Sequence, residues 1–332
     1  MTKIMQQQFN LNNPLKNKPN TLKAIDLFAG IGGIRLGFSQ AFKKEIEFVF
    51  SSEIDKYAKT TYYANFGEMP QGDITKIDEK EIPSHDIILA GFPCQAFSIA
   101  GKRLGFEDTR GTLFFEVARI IKHHKPKVVF LENVKGFVNH DKGNTFKVVK
   151  ETLEELGYKV FTKVLNAKDF GVPQNRERIY IVGFLDDEVE FEFPQNLELE
   201  TKVTDILEQK VDKKYYYNDK PLFDRVKNDI TNENSIYQWR RQYVRENKSG
   251  VCPTLTANMG TGGHNVPIVK DKYGIRKLTP RECANFQGFP ENFILPKGLV
   301  DSQLYKQCGN SVVVSVIKHI AKDIKKGIVK ND

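Results

Sequence analysis

A cysteine in the segment GFPCQAFS, residues 91–98, is the side chain best suited to covalent chemistry. Cys94 follows Pro93 and a short apolar run, a pattern that predicts a loop at the end of a strand. A thiolate is a strong nucleophile, and a nearby cation or helix start lowers a thiol pKa from its ordinary value of about 8.5. A lone cysteine is more often a small buried hydrophobic residue. Other residues of the site must therefore support a role for Cys94 as a nucleophile.

An acid and two arginines accompany this cysteine further along the chain. Glu132, in FLENV, lies at another predicted strand end, where an acid is rare unless it is paired or functional. In QNRER, residues 174–178, an extended backbone places Arg176 and Arg178 on the same side. Any one of these residues could simply form a salt bridge at the edge of a strand. Together, however, they would place an acid and two cations beside a nucleophilic cysteine.

A glycine-rich turn and two later acids predict a cofactor site. In DLFAGIGG, residues 26–33, the glycines allow backbone to approach a ligand closely. Arg35 occupies the third glycine position of the dinucleotide fingerprint G-x-G-x-x-G, which argues against a dinucleotide. Glu53 is placed to accept hydrogen bonds from ribose hydroxyls, and Asp73 from an adenine amino group. Each acid alone is typical of a solvated surface, but their order favours an adenosine site.

Alternating strands and helices predict the frame that positions these residues. Apolar runs predict strands at 23–28, 48–51, 86–90 and 128–131, and amphipathic patterns predict helices at 112–123 and 145–156. This alternation implies the α/β class, with a doubly wound, mostly parallel Rossmann-like sheet. Ligands on such sheets bind beyond the carboxyl ends of the strands, where the segments described above are expected.

The pattern divides the chain into three parts. Residues 1–20 are rich in Asn, Gln and Lys and predict a flexible N-terminal segment. Residues 21–193 and 305–332 predict the main catalytic and cofactor-binding domain, because 309–324 reads as a strand or turn followed by a helix that returns to it. Residues 194–304 lack the regular alternation and predict a smaller, irregular domain with a hinge.

Composition limits the class of partner and the compartment. The net charge of +8 and pI of about 9.0 favour a polyanionic partner, as a weak indication. The four cysteines have no zinc-site spacing, so we expect no metal. A disulfide framework is unexpected at this size, which makes a reducing cytoplasm the default. No apolar run approaches the roughly 20 residues that span a bilayer, and we expect no membrane association.

Taken together, these motifs resemble the bacterial DNA (cytosine-5) methyltransferase family. The matching segments, in family order, are DLFAGIGG, the acid at Glu53, GDIT, GFPCQAFS, ENV, QNRER, RECANFQGFP and CGNSVV. They run from Asp26 to about Ile317, nearly the whole chain. The family's usual serine two residues after Ser98 is Ala100 here, which puts one small polar loop contact in doubt.

The resemblance implies roles for individual residues. Cys94 would attack carbon 6 of a flipped-out cytosine, Glu132 would contact N3, and Arg178, next to Arg176, would hold O2. The loop at 101–111 would close over the base. S-adenosylmethionine would be the cofactor and S-adenosylhomocysteine the product. The predicted cofactor-site residues are Phe28, Gly30, Gly32, Glu53, Ile54, Asp73, Pro93 and Asn310.

The resemblance also makes residues 194–304 a target-recognition domain for double-stranded DNA. Residues 231–277 contain eight Lys/Arg and three Asp/Glu, and arginines are common base readers. In IYQWRRQYVR, we expect alternation to place the arginines and the aromatic residues Tyr237, Trp239 and Tyr243 partly on opposite faces, with the aromatic residues as local core. The predicted DNA-contacting residues are Gln95, Ser98, Arg240, Arg241, Arg245, Thr254, Leu255, Gly260, Gly262 and Gly263.

Several alternatives stay open at the level of sequence. A nicotinamide-dependent dehydrogenase shares such a sheet, although Arg35 and the Pro93-Cys94 loop disfavour it. An inactive DNA-binding relative is disfavoured by the joint presence of the cysteine, acid and arginine. A tRNA cytosine-5 methyltransferase would use the same chemistry. We expect a monomer, with a cognate restriction endonuclease acting on the same site as a further, unassociated partner.

Overall fold

The computed structural model describes residues 21–93, 113–261 and 265–329. Several residues singled out by the sequence lie outside these ranges, and nothing structural is assigned to them. They are residues 1–20, the loop 101–111, and Cys94, Gln95, Ser98, Gly262 and Gly263.

The described chain alternates strands and helices in its first half and has shorter elements afterwards. The strands are β1 (Leu22–Leu27), β2 (Ile46–Ser52), β3 (Ile87–Ala90), β4 (Val128–Val134), β5 (Lys159–Asn166), β6 (Gln174–Asn175), β7 (Glu177–Phe184), β8 (Ile236–Trp239), β9 (Val244–Glu246), β10 (Cys252–Pro253), β11 (Ile268–Asp271) and β12 (Gly274–Lys277). The helices are α1 (Gly33–Phe42), α2 (Lys56–Phe66), α3 (Leu113–His124), α4 (Asn144–Glu155), α5 (Val203–Ile206), α6 (Phe223–Val226), α7 (Pro280–Asn285), α8 (Asp301–Asn310) and α9 (Val314–Val329).

A mixed sheet in the order β2-β1-β3-β4-β7-β5 forms the frame of the described part. Strands β1 to β4 run parallel, as predicted, while β7 is antiparallel to both β4 and β5. The reversal has a local cause. Parallel neighbours need a long crossover, but between β5 and β7 the chain has only a short 3-10 turn at Ala167–Phe170 and β6.

The two faces of the sheet bury alternate residues of each strand, as period-2 geometry requires. Ile25, Leu27 and Ile88 belong to one core with α3 and α4, while Ala24 and Leu89 belong to the opposite core with α1 and α9. Each fully buried aliphatic or aromatic side chain contributes about 1.5–3 kcal/mol. The cores therefore fix where the strands end.

The C-terminal segment, which we expected to return to the first domain, packs against α1. A β-carbon at Gly37 of α1 would press against Ile317 of α9, so these two helices pack at close range. The expected strand or turn near residue 309 is different in detail. Residues 309 and 310 complete α8, and residues 311–313 connect it to α9.

A second, antiparallel sheet in the order β12-β11-β8-β9 occupies residues 236–277. Its own small core includes Val226, Ile230, Tyr237, Ile268 and Ile275. A further core cluster extends from Ile31 through Leu255 and Cys283 to Val314, so residues 194–304 pack against the glycine turn and helices of the first part of the chain. The parallel pair β6–β10 adds backbone hydrogen bonds between the two parts. No helix among the described residues is long and apolar enough to cross a bilayer.

Candidate active site

A cavity of about 440 Å³ lies beyond the carboxyl ends of β1 to β4. Its wall is formed by the last residues of these strands or the residues just after them, 28–31, 52–55, 91–93 and 132–134, together with the end of α8. The parallel sheet explains this convergence. The predicted residues on the wall are Phe28, Gly30, Glu53, Ile54, Asp73, Pro93, Glu132, Arg176, Arg178 and Asn310.

The glycine turn after β1 faces the cavity at one residue and packs away from it at another. A β-carbon at Gly30, φ 56°, would meet no heavy atom within 4 Å, so a ligand can approach this backbone. A β-carbon at Gly32, φ 84°, would overlap the ring of Phe66. Gly32 was predicted to line the cofactor site, but it is absent from the cavity wall and supports the turn from behind.

The carboxylate of Glu53 is oriented by two backbone amides. Oε2 accepts from the Gly30 amide at 2.7 Å and Oε1 from the Asp55 amide at 2.7 Å. Each oxygen retains acceptor capacity for a ligand hydroxyl. Ile54, beside it, is 73% exposed and offers an apolar surface at the cavity edge.

Asp73, on a loop at the same edge, is kept ionised by its own turn. The hydroxyl and amide of Thr75 donate to Oδ1 at 2.8 and 3.1 Å. These hydrogen bonds lower the pKa of Asp73 below its usual value. It is therefore an acceptor, as its predicted contact with an amino group requires.

A buried acid–arginine pair forms another part of the wall. Glu132 Oε1 lies 3.1 Å from Nε of Arg178, and both side chains are almost buried. Burial raises the pKa of Glu132, although Arg178 and Arg176 act in the opposite direction. The site thus combines a carboxyl group that protonates above the ordinary Glu range with a fixed cation.

Arg176 lines the cavity but is engaged by backbone. Its guanidinium donates to the carbonyl oxygens of Leu255 at 2.7 Å, Gly309 at 3.2 Å and Ser311 at 2.5 Å. Burial, with the neighbouring Arg178, lowers its pKa to about 9. These contacts join β7's start to the second part of the chain and to α8, which is a positioning role.

Sequence reasoning missed a set of buried amides around the site. Asn133 donates to the carbonyl of Phe92 at 2.9 Å and so ties the end of β4 to the segment that leads to Cys94. Gln174 accepts from the Leu255 amide at 3.1 Å and donates to the carbonyl of Phe286 at 2.6 Å. The only signal in the sequence is their place inside the ENV and QNRER motifs.

The β8–β9 hairpin carries three of the predicted DNA-contacting residues, Arg240, Arg241 and Arg245. Gln238 pairs with Arg245 across the strands, and the Arg240 amide donates to the carbonyl of Tyr243 at 2.9 Å. Side-chain alternation puts Gln238, Arg240, Tyr243 and Arg245 on one side, here called the outward face. Arg241 is exposed at the tip with φ 66°.

One part of the expectation for this hairpin is wrong. Tyr237 is buried and Trp239 packs against the small core, as predicted, but Tyr243 is 58% exposed. The strand register is the reason, since Tyr243 stands opposite Arg240 rather than on the face of Trp239.

The predicted DNA-contacting residues near 254–260 are largely committed to packing. Leu255 is 1% exposed and belongs to the core, and the Thr254 hydroxyl donates to the carbonyl of Asn175 at 2.6 Å. A β-carbon at Gly260 would lie 2.5 Å from the carbonyl oxygen of Ser302. The glycine at this position therefore allows close approach to α8, and its predicted contact with DNA stays a prediction.

The described residues contain no group of three or more His, Cys, Asp or Glu side chains placed to hold a metal ion. The three described cysteines, Cys252, Cys283 and Cys308, are buried free thiols whose pKa values are raised by burial.

The fold and this site are those of a methyltransferase of the α/β class, and comparison with known proteins agrees. The family model described as C-5 cytosine-specific DNA methylase matches residues 22–326. The chain is 55% identical over 317 residues to the type II methyltransferase M.Bsp6I of Bacillus sp. (strain RFL6), covering 93% of this chain and 100% of that one. It is 46% identical over 331 residues to M.HhaI of Haemophilus parahaemolyticus, whose framework the motifs resemble, covering 93% and 96%.

Solved structures agree at the level of the fold. A Spodoptera frugiperda DNMT2 mutant superposes with a TM-score of 0.74 at 23% identity, covering 92% of this chain and 100% of that chain. The chain belongs to the C-5 cytosine-specific DNA methylase family. It is a DNA (cytosine-5-)-methyltransferase, which removes the dehydrogenase alternative.

Proposed function

We propose that this enzyme methylates carbon 5 of a cytosine flipped out of a short, specific duplex DNA sequence, with Cys94 as nucleophile. The observation that carries the residue assignment is the cavity itself. One wall holds the glycine turn, whose Gly30 amide is hydrogen-bonded to Glu53, and another wall holds the Glu132–Arg178 pair. A cofactor and a base can therefore meet in a single space.

S-adenosylmethionine fits the residues on the first wall. Glu53 has oriented acceptor oxygens for ribose hydroxyls, Ile54 an apolar face for a purine, and Gly30 open backbone. Phe28, held at φ 54°, and Asn310 complete the proposed site with Asp73 and Pro93. When bound, this cofactor supplies an electrophilic methyl group.

The residues on the second wall act on the base. Addition of the Cys94 thiolate to carbon 6 removes the ring's aromaticity and makes carbon 5 enamine-like. Glu132 gives a proton or strong hydrogen bond to N3, which its raised pKa favours, and Arg178 holds O2. Carbon 5 takes the methyl group and then loses its proton to water. The electrons of that C–H bond re-form the 5,6 double bond, the carbon 6–sulfur bond breaks to release the Cys94 thiolate, and N3 returns its proton to Glu132. In a stacked duplex, the neighbouring bases block access of the thiolate and the methyl donor to the cytosine ring. The target base must therefore be flipped out of the helix.

The partners follow from the substrate. The chain's relatives are type II methyltransferases, and we propose that it is the modification enzyme of a restriction–modification system. The endonuclease would act on the same sequence without stable association. We further propose a monomeric, cytoplasmic enzyme whose residues 194–304 choose the target.

A mechanism-based trap tests the proposal. Fluorine at carbon 5 blocks the final proton loss, so duplex DNA with 5-fluorocytosine should give a stable adduct only when cofactor is present. The adduct should map to Cys94 and be absent in Cys94→Ser. Mapping to Cys252, Cys283 or Cys308 would contradict the assignment. A parallel assay on tRNA distinguishes the two possible substrates, and we expect no methylation of the tRNA.

A further inference from the structure

Arg35 lies behind the cofactor turn, surrounded by aromatic rings. Its guanidinium carbon is 4.6 Å from the ring centroids of Phe48 and Phe66 and 5.3 Å from that of Tyr62. Nη1 donates to the Tyr62 hydroxyl at 2.8 Å and to Glu68 Oε2 at 2.6 Å, and the side chain is 13% exposed. Such a desolvated cation with three rings and a carboxylate is held in one place.

One side of this cluster supports the glycine turn. The Phe66 ring, stacked under Arg35, fills the space in which a side chain at residue 32 would lie. Gly32 in turn donates to the carbonyl of Ala29 at 2.8 Å, which closes the turn that carries Gly30. A shift of Phe66 would therefore move the backbone that faces the cavity.

The other side of the cluster supports the end of β2. The second oxygen of Glu68 accepts from the Ser51 hydroxyl at 2.6 Å, and Ser51 is 1% exposed. The Ser51 carbonyl accepts from the Gln71 amide at 2.8 Å, and the Gln71 carbonyl accepts from the Glu53 amide at 3.0 Å. Arg35 is thus connected to Glu53 through the half-buried carboxylate of Glu68, then Ser51 and Gln71.

We propose that Arg35 is a positioning residue for S-adenosylmethionine. It fixes the distance between the glycine turn and the Glu53 carboxylate, the two parts that must contact the cofactor together. The inference rests on the proposed cofactor site. It assigns a purpose to the arginine that replaces the third glycine of the dinucleotide fingerprint.

The test separates cofactor affinity from DNA affinity. Arg35→Met should raise the Kd for S-adenosylmethionine at least about tenfold, since charged hydrogen bonds are lost. The KM for DNA and kcat at saturating cofactor should stay within about twofold of the parent. Arg35→Lys, which keeps a charge near Glu68 but loses the planar stack, should be intermediate. Calorimetric titration, steady-state kinetics and melting curves supply the readouts.

Two further variants keep the result decisive. Ser51→Ala breaks only the link to β2 and should weaken cofactor binding by a few-fold, so it decides the matter if Arg35→Met does not fold. Arg281→Met is the matched control. Arg281 is also half-buried, but its guanidinium donates to the carbonyl of Phe293 and not to the residues that support the glycine turn or β2. It should leave cofactor affinity unchanged.

Two outcomes would overturn the inference. One is an unchanged cofactor Kd in folded Arg35→Met or, where that variant does not fold, in Ser51→Ala. The other is a parallel loss of cofactor and DNA affinity, which would indicate general loosening. Failure of the proposed cofactor site itself is distinguishable, because the parent protein would then bind no S-adenosylmethionine.

Discussion

Glu132 shows how one side chain acquires its chemistry from burial. The pKa of this acid is raised because the folded chain removes it from water, and its pairing with Arg178 only partly offsets that effect. Its neutral form therefore persists to higher pH than that of an ordinary Glu, near 4.3.

The pH dependence of methyl transfer should report this acid. If Glu132 protonates N3, the single-turnover rate falls as pH rises through its raised pKa. Arg178→Met removes a group that lowers the pKa, so the falling limb should move to higher pH. Glu132→Gln keeps a hydrogen-bond donor without a transferable proton, and should lower the rate about 10²–10⁴-fold and flatten the limb. A limb unchanged in both variants would remove Glu132 from the proton step.

Cofactor binding should depend on Glu53, which lines the cavity, and not on a surface acid outside it. Glu53→Ala removes two ribose acceptors and also frees the Gly30 amide. At about 1–3 kcal/mol for each lost hydrogen bond, we expect at least tenfold weaker binding by calorimetry, with DNA affinity intact. Glu45→Ala is the control, because Glu45 pairs with Lys325 on the surface. If Glu53→Ala binds S-adenosylmethionine as tightly as the parent protein does, the cofactor site lies elsewhere.

Glu53, Glu132 and the glycine turn were predictable because they lie at the carboxyl end of a strand of the parallel sheet or directly after it. The amides were not, since Asn133 reaches a carbonyl 41 residues away and Gln174 one 112 residues away. A sequence read along the chain carries no signal for contacts at that distance. Gly32 and Gly260 show the same limit, because glycine allows close approach to protein as well as to a ligand.

Among the elements, amphipathic helices were the easiest to predict. The patterns at 112–123 and 145–156 lie within a residue of α3 and α4, because a continuous apolar stripe specifies a helix. The reversed strand β7 and the strands of the second sheet were not predicted. The strands of the second sheet have three or four residues, too few to show a period, and their pairing is set by partners elsewhere. Strand β7 has eight residues, but its antiparallel direction follows from its short connection to β5, which its own residues do not show.

The outward face of the β8–β9 hairpin should read bases. A two-stranded ribbon fits the major groove, and this face presents Gln238, Arg240, Tyr243 and Arg245 to solvent or nearly so. If Arg240 reads guanine, Arg240→Ala should relax the choice at one position, a loss of about 1–3 kcal/mol in discrimination. Methylation of a randomised duplex library measures this. The same assay on Arg241→Ala tests the residue at the tip.

Lys248→Ala is the matched control for the hairpin, since Lys248 is an exposed cation beyond β9. It should weaken binding alike on all sequences and reduce the salt slope by about one. The same behaviour in Arg240→Ala would demote that arginine to a phosphate contact.

At the scale of the whole molecule, the second part of the chain is expected to transfer as a unit. Its buried ion pair, Arg276 with Glu282 at 2.8 Å, lies entirely within it, so a graft would carry both partners. The junction belongs at Val300, which precedes α8, because a cut at 304 would divide that helix.

A hybrid with residues 194–300 placed on the catalytic part of a related enzyme should methylate this protein's target. Its construction must preserve the contacts of Gln174 and Arg176 with Leu255, which join the two parts. Sequencing of methylated library DNA identifies the target. An active hybrid that keeps the host's target would place specificity elsewhere.

The number of reactive thiols should report whether the chain is folded. Cys252, Cys283 and Cys308 are shielded from solvent and held in their unreactive form. In native buffer, a thiol reagent should therefore attach at most one label to each intact molecule, whereas denaturant should raise the number to four. Mass spectrometry of labelled stocks would count opened molecules directly, and bound DNA that protects Cys94 should bring the native count towards zero.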